Sequence, residues 1–220
     1  MTTLTELEED ALKEFFNLGL GTAADQLSRM LDNEVLLDLP KLAMVSHEQA
    51  LNLVSRGPEQ KMVAIRQNFH GTLTGTALLI FPGSGSLEMV RTLTREDIPL
   101  EELTALEQET LLDVGNVVLN AFLGSFTQMM ALKLEFESAE FLKADSEHIL
   151  RASTHLASQP LSEGTLGAVA DEPAFFLMMD FQTHDDQQRE HTLNGYVVLL
   201  FTQTAMATLK HELERILVNY

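Results

Sequence analysis

The chain repeats itself. Displaced by 99 positions, Leu4-Thr5-x-Leu7-Glu8 falls on Leu103-Thr104-x-Leu106-Glu107, Leu12 on Leu111, Asn17 on Asn116 and Leu20 on Leu119. Seven of the seventeen positions from Leu4 to Leu20 are identical, where average residue frequencies give about one. Apolar character persists downstream: Leu27, Met30 and Leu31 fall on Phe126, Met129 and Met130, and Val35 and Leu37 on Leu134 and Phe136. The copies then lose register across an insertion in the second half, SQPLSEGTLGAVADEP (158–173). They realign at a displacement of 120, where GTALLIF (75–81) resembles GYVVLLF (195–201). Such a duplication constrains the fold more than any single motif, because both copies must close one core between them. It predicts a pseudo-twofold axis.

Each half carries the same order of elements. Thr5-x-x-Glu8 and Thr104-x-x-Glu107 read as capping boxes, in which threonine caps the helix and glutamate reaches back to the cap. Glu6, Glu8 and Glu9 suit the positive end of the first helix. Long helices follow to about Arg29 and Gln128, then alternating strand patterns in VLLDLPKLAMV and LKLEFESAEFL. Pro40 marks an edge or a bulge in the first of these. Short helical pieces come next, HEQALNLVS and SEHILRAST. Two strands close each half, MVAIRQNF with TLTGTALLIF turning at His70-Gly71, and FFLMMDF with TLNGYVVLLF joined by THDDQQREH. Helical stretches SLEMVRTLT and TAMATLKHELERI end them.

The sum is an α+β chain, α-β-α-β-β-α twice, with a central, mainly antiparallel sheet packed by helices. The near-continuous apolar runs of FFLMMDF and GYVVLLF predict a sheet buried on both faces. No Pro/Gly/Ser-rich linker separates the halves, so one fused domain over 1–220 is expected, with repeat one at about 4–100 and repeat two at about 103–220.

Charge narrows the partners. Fourteen Lys and Arg against 33 Asp and Glu leave a formal net charge of −19, which repels phosphate backbones and anionic lipid and disfavours nucleic acid. No cysteine is present, which removes disulfides, thiolate metal sites and cysteine nucleophiles together. The first residues, MTTLTELEEDALKEF, lack a basic then apolar leader, and no apolar run of about 18 residues stands out. A cytoplasmic protein without membrane insertion is the expectation.

The polar face of each capped helix carries the chemistry. Asp10, Glu14 and Asn17 stand at i, i+4 and i+7, while Leu12, Phe15, Phe16 and Ala23 take much of the remaining surface. The second helix aligns Glu109, Asp113, Asn116 and Asn120. An acidic helical stripe is usually a solvated face, and asparagine is a mediocre helix former. Asn17 and Asn116, however, sit well inside their helices, where capping does not explain them. Both copies also keep an acid three residues ahead of the asparagine.

The spacing Asp-x-x-x-Glu-x-x-Asn, continued by NLGLGTAADQLSRML, resembles the signature of the CheC/CheX/FliY family of bacterial chemotaxis phosphatases, which act on the response regulator CheY. Asp10, Glu14 and Asn17 match it fully. Glu109, Asp113 and Asn116 depart twice: Glu109 stands where the family has Asp or Ser, and Asp113 is one methylene shorter than the family's Glu. Duplication and length together resemble the two-motif, CheC-like form over essentially the whole chain. The resemblance implies a CheC-like fold and hydrolysis of an aspartyl phosphate on a receiver domain. Asn17 and Asn116 would hold the attacking water, Glu14 and Asp113 would pair with the partner's lysine, and Asp10 and Glu109 would sit at the docking rim. It implies no cofactor or metal of the chain's own, because the phosphorylated regulator brings the Mg²⁺. It further implies a CheD-type deamidase as a possible second partner, with no residue assigned to it. The altered second motif keeps a rival open, a non-catalytic receiver-docking adaptor or flagellar-switch component on the same fold.

Other features carry less. His148 and His155, with Asp145 and Glu147 nearby, do not form a ligand pattern and read as surface or capping histidines. Gly19-Leu20-Gly21 lies in a helical pattern without the Lys-Ser/Thr of a phosphate loop, and reads as a close helix–helix approach. GSGS (83–86) reads as a turn and cap, and the ten methionines as core filling. The insertion 158–173 is a lid, a partner contact or a tolerated loop.

Overall fold

The computed structural model of the chain describes residues 4–55, 61–83, 86, 90, 103–153, 173–184 and 190–218. Its elements run helix α1 (Glu6–Leu31), strand β1 (Val35–Ser46), α2 (His47–Val54), β2 (Met62–Gly71), β3 (Gly75–Pro82), α3 (Leu103–Met129), β4 (Leu134–Phe136), β5 (Glu140–Ala144), α4 (Ser146–Ala152), β6 (Pro173–His184), β7 (Glu190–Phe201) and α5 (Gln203–Val218). Thr5 caps α1 as its side chain suggests: the Glu8 N–H donates to Thr5 Oγ1 at 3.3 Å and the Thr5 N–H donates to Glu8 Oε2 at 2.6 Å. The side chains of 101–107, and so the second capping box, lie outside the described residues. So do the helical stretch SLEMVRTLT, apart from Ser86 and Val90, and the insertion up to residue 172.

All seven strands join one sheet in the order β1-β6-β7-β3-β2-β4, with β5 also pairing β2, and every pairing is antiparallel. The duplication is written into that order. β1, β6 and β7 on one side answer β4/β5, β2 and β3 on the other. The halves meet where β3 pairs β7, with Leu78 opposite Val198, its own counterpart at the displacement of 120. Alternation along the central strands builds two cores. Ala77, Leu79, Phe81, Val197, Leu199 and Phe201 face α1, α3 and α5, while Leu78, Ile80, Val198 and Leu200 face α2 and α4. Both faces are covered, which explains why β3 and β7 read as unbroken apolar runs.

Three local expectations need revision or sharpening. β1 is an edge strand and also carries an irregularity, since its register on β6 shifts between Asp38 and Lys41, at Pro40. The second alternating stretch is not one strand but two, β4 and β5, broken at 137–139. The β2–β3 turn does not lie at His70-Gly71. β2 runs through both residues, Gly71 at φ +128 pairs with Leu134, and the turn comes at 72–74 with Leu73 buried. A side chain at Gly71 would strike the Lys133 carbonyl, so this glycine serves a close strand approach as well as a bend.

One further expectation changes. Gln108–Met129 of α3 is long and apolar enough, by length and composition, to cross a membrane, although Asp113 and Asn116 interrupt its apolar run. Half of that window is buried, and α3 packs on α1 and the sheet.

Candidate functional site

The motif helices lie side by side on one face of the sheet. Phe16 stacks on Phe122 at 4.6 Å and on Phe126 at 5.6 Å, and meets Phe175 of β6 edge-on at 6.1 Å. Gly19 permits the approach: a Cβ there would lie 2.9 Å from the Cα of Phe122. With Leu12, Phe15, Phe16, Leu20, Ala23 and Leu27 buried beneath, the opposite face of α1 is turned to solvent in a fixed orientation.

On that face Asp10, Glu14 and Asn17 are all exposed. Asp10 faces Lys13 at 3.4 Å, an exposed pair of small energetic weight. Glu14 and Asn17, one turn apart, have no hydrogen-bond or ion-pair partner among the described residues. They open onto a shallow depression of about 580 Å³ lined by Leu18, Gly21, Thr22, Asp25, Gln26 and Arg29. A carboxylate and a carboxamide with unused capacity can receive a cation and orient a water, which is what phosphoryl hydrolysis asks of a protein that supplies positioning rather than a covalent step.

The second motif is placed alike but is less open. Glu109 and Asp113 are exposed, while Asn116 is half-buried. Asn120, one turn beyond Asn116, accepts a hydrogen bond at 3.1 Å from Nε2 of Gln67, a buried residue of β2. Gln67 Nε2 also donates to the Glu137 carbonyl at 3.2 Å. Neither motif asparagine is swallowed by the core, which would have ended its assignment. The sequence reading missed Gln67. Its signal was an amide at a position where the alternation Val63, Ile65, Phe69 of MVAIRQNF calls for an inward apolar residue.

The remaining candidates stay apart from this face. His148 is exposed beside Asp145, whose carboxylate caps α4 by accepting from the His148 N–H at 2.7 Å. His155 lies outside the described residues. Ser86 Oγ donates to the Gly83 carbonyl at 2.8 Å, and both residues are helical rather than in a turn; residues 84 and 85 are outside the described set. Among the described residues no three His, Asp or Glu side chains gather as a metal site.

No family model matches the chain. In sequence it is similar to the CheY-P phosphatase CheC of Bacillus subtilis (strain 168), 22% identical over 134 residues. The match takes in 60% of this chain and 64% of the relative, so it spans less than two thirds of that relative's length. In fold the chain is similar to FliY of Thermotoga maritima, with a TM-score of 0.69 at 12% identity over 98% of this chain and 100% of that one. It is also similar to FliM of H. pylori, solved in a FliG-FliM complex, with a TM-score of 0.61 at 9% identity over 94% of this chain and 100% of that one. At such identities the structural likeness is one of fold.

Proposed function

We propose, on the premise that this is a CheC/CheX/FliY-family chain with the FliY-like fold, that it hydrolyses the aspartyl phosphate of a CheY-type response regulator in chemotaxis signalling. The observation that supports this most is the pairing of Glu14 and Asn17. They are one turn apart, both exposed, both without partners among the described residues, and carried by a helix that its aromatic packing holds still.

In this reading the receiver domain lays its phosphorylated pocket on α1. Glu14 meets the partner's lysine ammonium and sets the register of docking. The Asn17 carboxamide then reaches the acyl phosphate and holds a water in line with the P–O bond. Being neutral, it adds no negative charge beside the phosphoryl oxygens. The regulator contributes the Mg²⁺ that neutralises charge on the phosphoryl group. Asp10 and Glu109 act at the rims. Asp113 and Asn116 form a second, weaker site, since Asp113 is one methylene short of Glu14 and Asn116 is less exposed. The net charge of −19 favours a partner with a basic approach surface. A CheD-type deamidase stands as a possible further partner.

A second reading has its own support. The FliM likeness and the shortened acid of the second motif fit a receiver-docking adaptor or flagellar-switch component with negligible turnover. One experiment separates the two. The decay of a phosphorylated CheY-type regulator from the same source is followed in buffer, with wild type, Asn17→Ala, Asn116→Ala and the double variant. Acceleration by wild type that the double variant loses supports the phosphatase. Binding of the phosphorylated regulator without acceleration supports the adaptor. Neither binding nor acceleration rejects both.

A further inference from the structure

The two glycines of Gly19-Leu20-Gly21 look interchangeable in sequence, and the fold separates them. Gly19 faces α3 and is required by packing, whereas a Cβ on Gly21 would meet nothing within 4 Å. Gly21 is mid-helix, exposed and without a positive φ. Neither packing nor backbone conformation accounts for glycine there, and glycine weakens a helix interior. What distinguishes the position is its place: one turn beyond Asn17, in the same depression as Glu14, beside Leu18, a leucine 47% exposed. At the second motif the equivalent position is Asn120, whose side chain is tied to the buried Gln67. The open glycine of α3, Gly124, stands a further turn from Asn116.

Resting on the receiver-docking reading above, we infer that Gly21 is a positioning residue that admits the partner to the first motif. The receiver's main chain passes over the bare helix at Gly21 with an apolar side chain against Leu18, and Asn120 fills that passage at the second motif. A helix surface without a Cβ lets a facing backbone come closer than any other residue would, and the partner's phosphorylated aspartate must come within hydrogen-bond reach of the short Asn17 side chain. An exposed leucine beside a polar pair supplies the apolar anchor that interfaces of this kind centre on. The asymmetry between Gly21 and Asn120 thereby decides which half of a duplicated protein is occupied.

The test uses the full chain and a CheY-type regulator from the same source, loaded with Mg²⁺ and beryllofluoride as a stable phosphate mimic. Thermal midpoint and dissociation constant are measured for wild type, Gly21→Ala and Gly21→Gln. Both variants are expected to unfold no lower than wild type, while Gly21→Gln weakens binding about tenfold or more, with Gly21→Ala between. Asn120→Gly, placed in an Asn17→Ala background, is expected to strengthen binding at the second motif. Wild-type affinity in Gly21→Gln overturns the inference and leaves receiver docking standing. Weaker binding matched by a lower midpoint in both variants makes Gly21 structural and also overturns it. A wild type that does not bind the loaded regulator rejects the docking reading and this inference with it.

Discussion

Phe16 and Phe122 stack with ring centroids 4.6 Å apart and planes 12° from parallel, and through them one motif helix rests on the other. Both rings are fully buried, and Phe16 also contacts Phe126 and Phe175. The two candidate sites therefore share a single mechanical support.

Removing that support has a calculable cost. Phe16→Ala and Phe122→Ala are each expected to lose about 3–5 kcal/mol of stability from lost burial and the cavity left behind. Stacking adds about 0.5–1.5 kcal/mol beyond burial, so the double variant should fall short of the sum of the singles by roughly that amount. Urea denaturation of the four proteins checks it, and strict additivity would rule out the stack as a coupled unit.

Gly19→Ala is expected to destabilise although alanine is the better helix former. The added methyl meets main chain, the Cα of Phe122 at 2.9 Å and its carbonyl oxygen at 3.2 Å, neither of which can swing aside. Separating the helices costs about 1–3 kcal/mol, against a propensity gain of about 1 kcal/mol. A thermal midpoint at or above wild type would show that the helices have room to part.

How much of this could be read beforehand depends on the range of the interaction. The capping box at Thr5 and Glu8, the helical faces and the apolar strands are decided by neighbours a few residues apart, and the sequence shows them. The repeat predicted a pseudo-twofold axis, and the structure shows that the halves meet where β3 pairs β7. What stayed hidden needed partners distant in the chain. Gly71 reads as a turn glycine until Lys133 is seen against it. Gly19 and Gly21 read alike until α3 is placed beside only one of them. Gln67 becomes part of the second motif only because β2 lies under α3 and brings it to Asn120. The roles of Glu14 and Asn17 rest on a resemblance. The geometry adds that both are open and, among the described residues, unpartnered.

The docking role proposed for Glu14 can be tested inside the first motif. Glu14→Asp reproduces there the shortened acid of Asp113. With the partner's ammonium held at a fixed distance, the ion pair is broken or strained, which is expected to raise KM about tenfold while kcat at saturation changes little. Rates of regulator dephosphorylation across a range of regulator concentrations check it. A fall in kcat with KM unchanged would instead move Glu14 from docking to the chemical step.

The last prediction concerns the other face of the sheet. His47 opens α2, is 4% exposed, and neither ring nitrogen has a partner among the described residues. Burial, with a smaller contribution from the Arg151 charge, lowers its pKa from 6.5 to about 4. The folded protein thus keeps the ring neutral while the unfolded chain protonates it. Above pH 6.5 neither state is protonated at this residue and its linkage cost is absent. As pH falls from 6.5 towards 4 the unfolded state binds the proton and the folded state does not, so stability is lost over that window, reaching about 3 kcal/mol once pH is below both values. His47→Leu removes the proton-binding group together with two unpaired buried nitrogens. It is expected to match or exceed wild-type stability at pH 7.5 and to lose less on acidification to pH 4.5. Urea midpoints of both proteins at the two pH values check this. Equal losses would mean that carboxylates alone govern the acid response and that the His47 ring reaches solvent or a partner when folded.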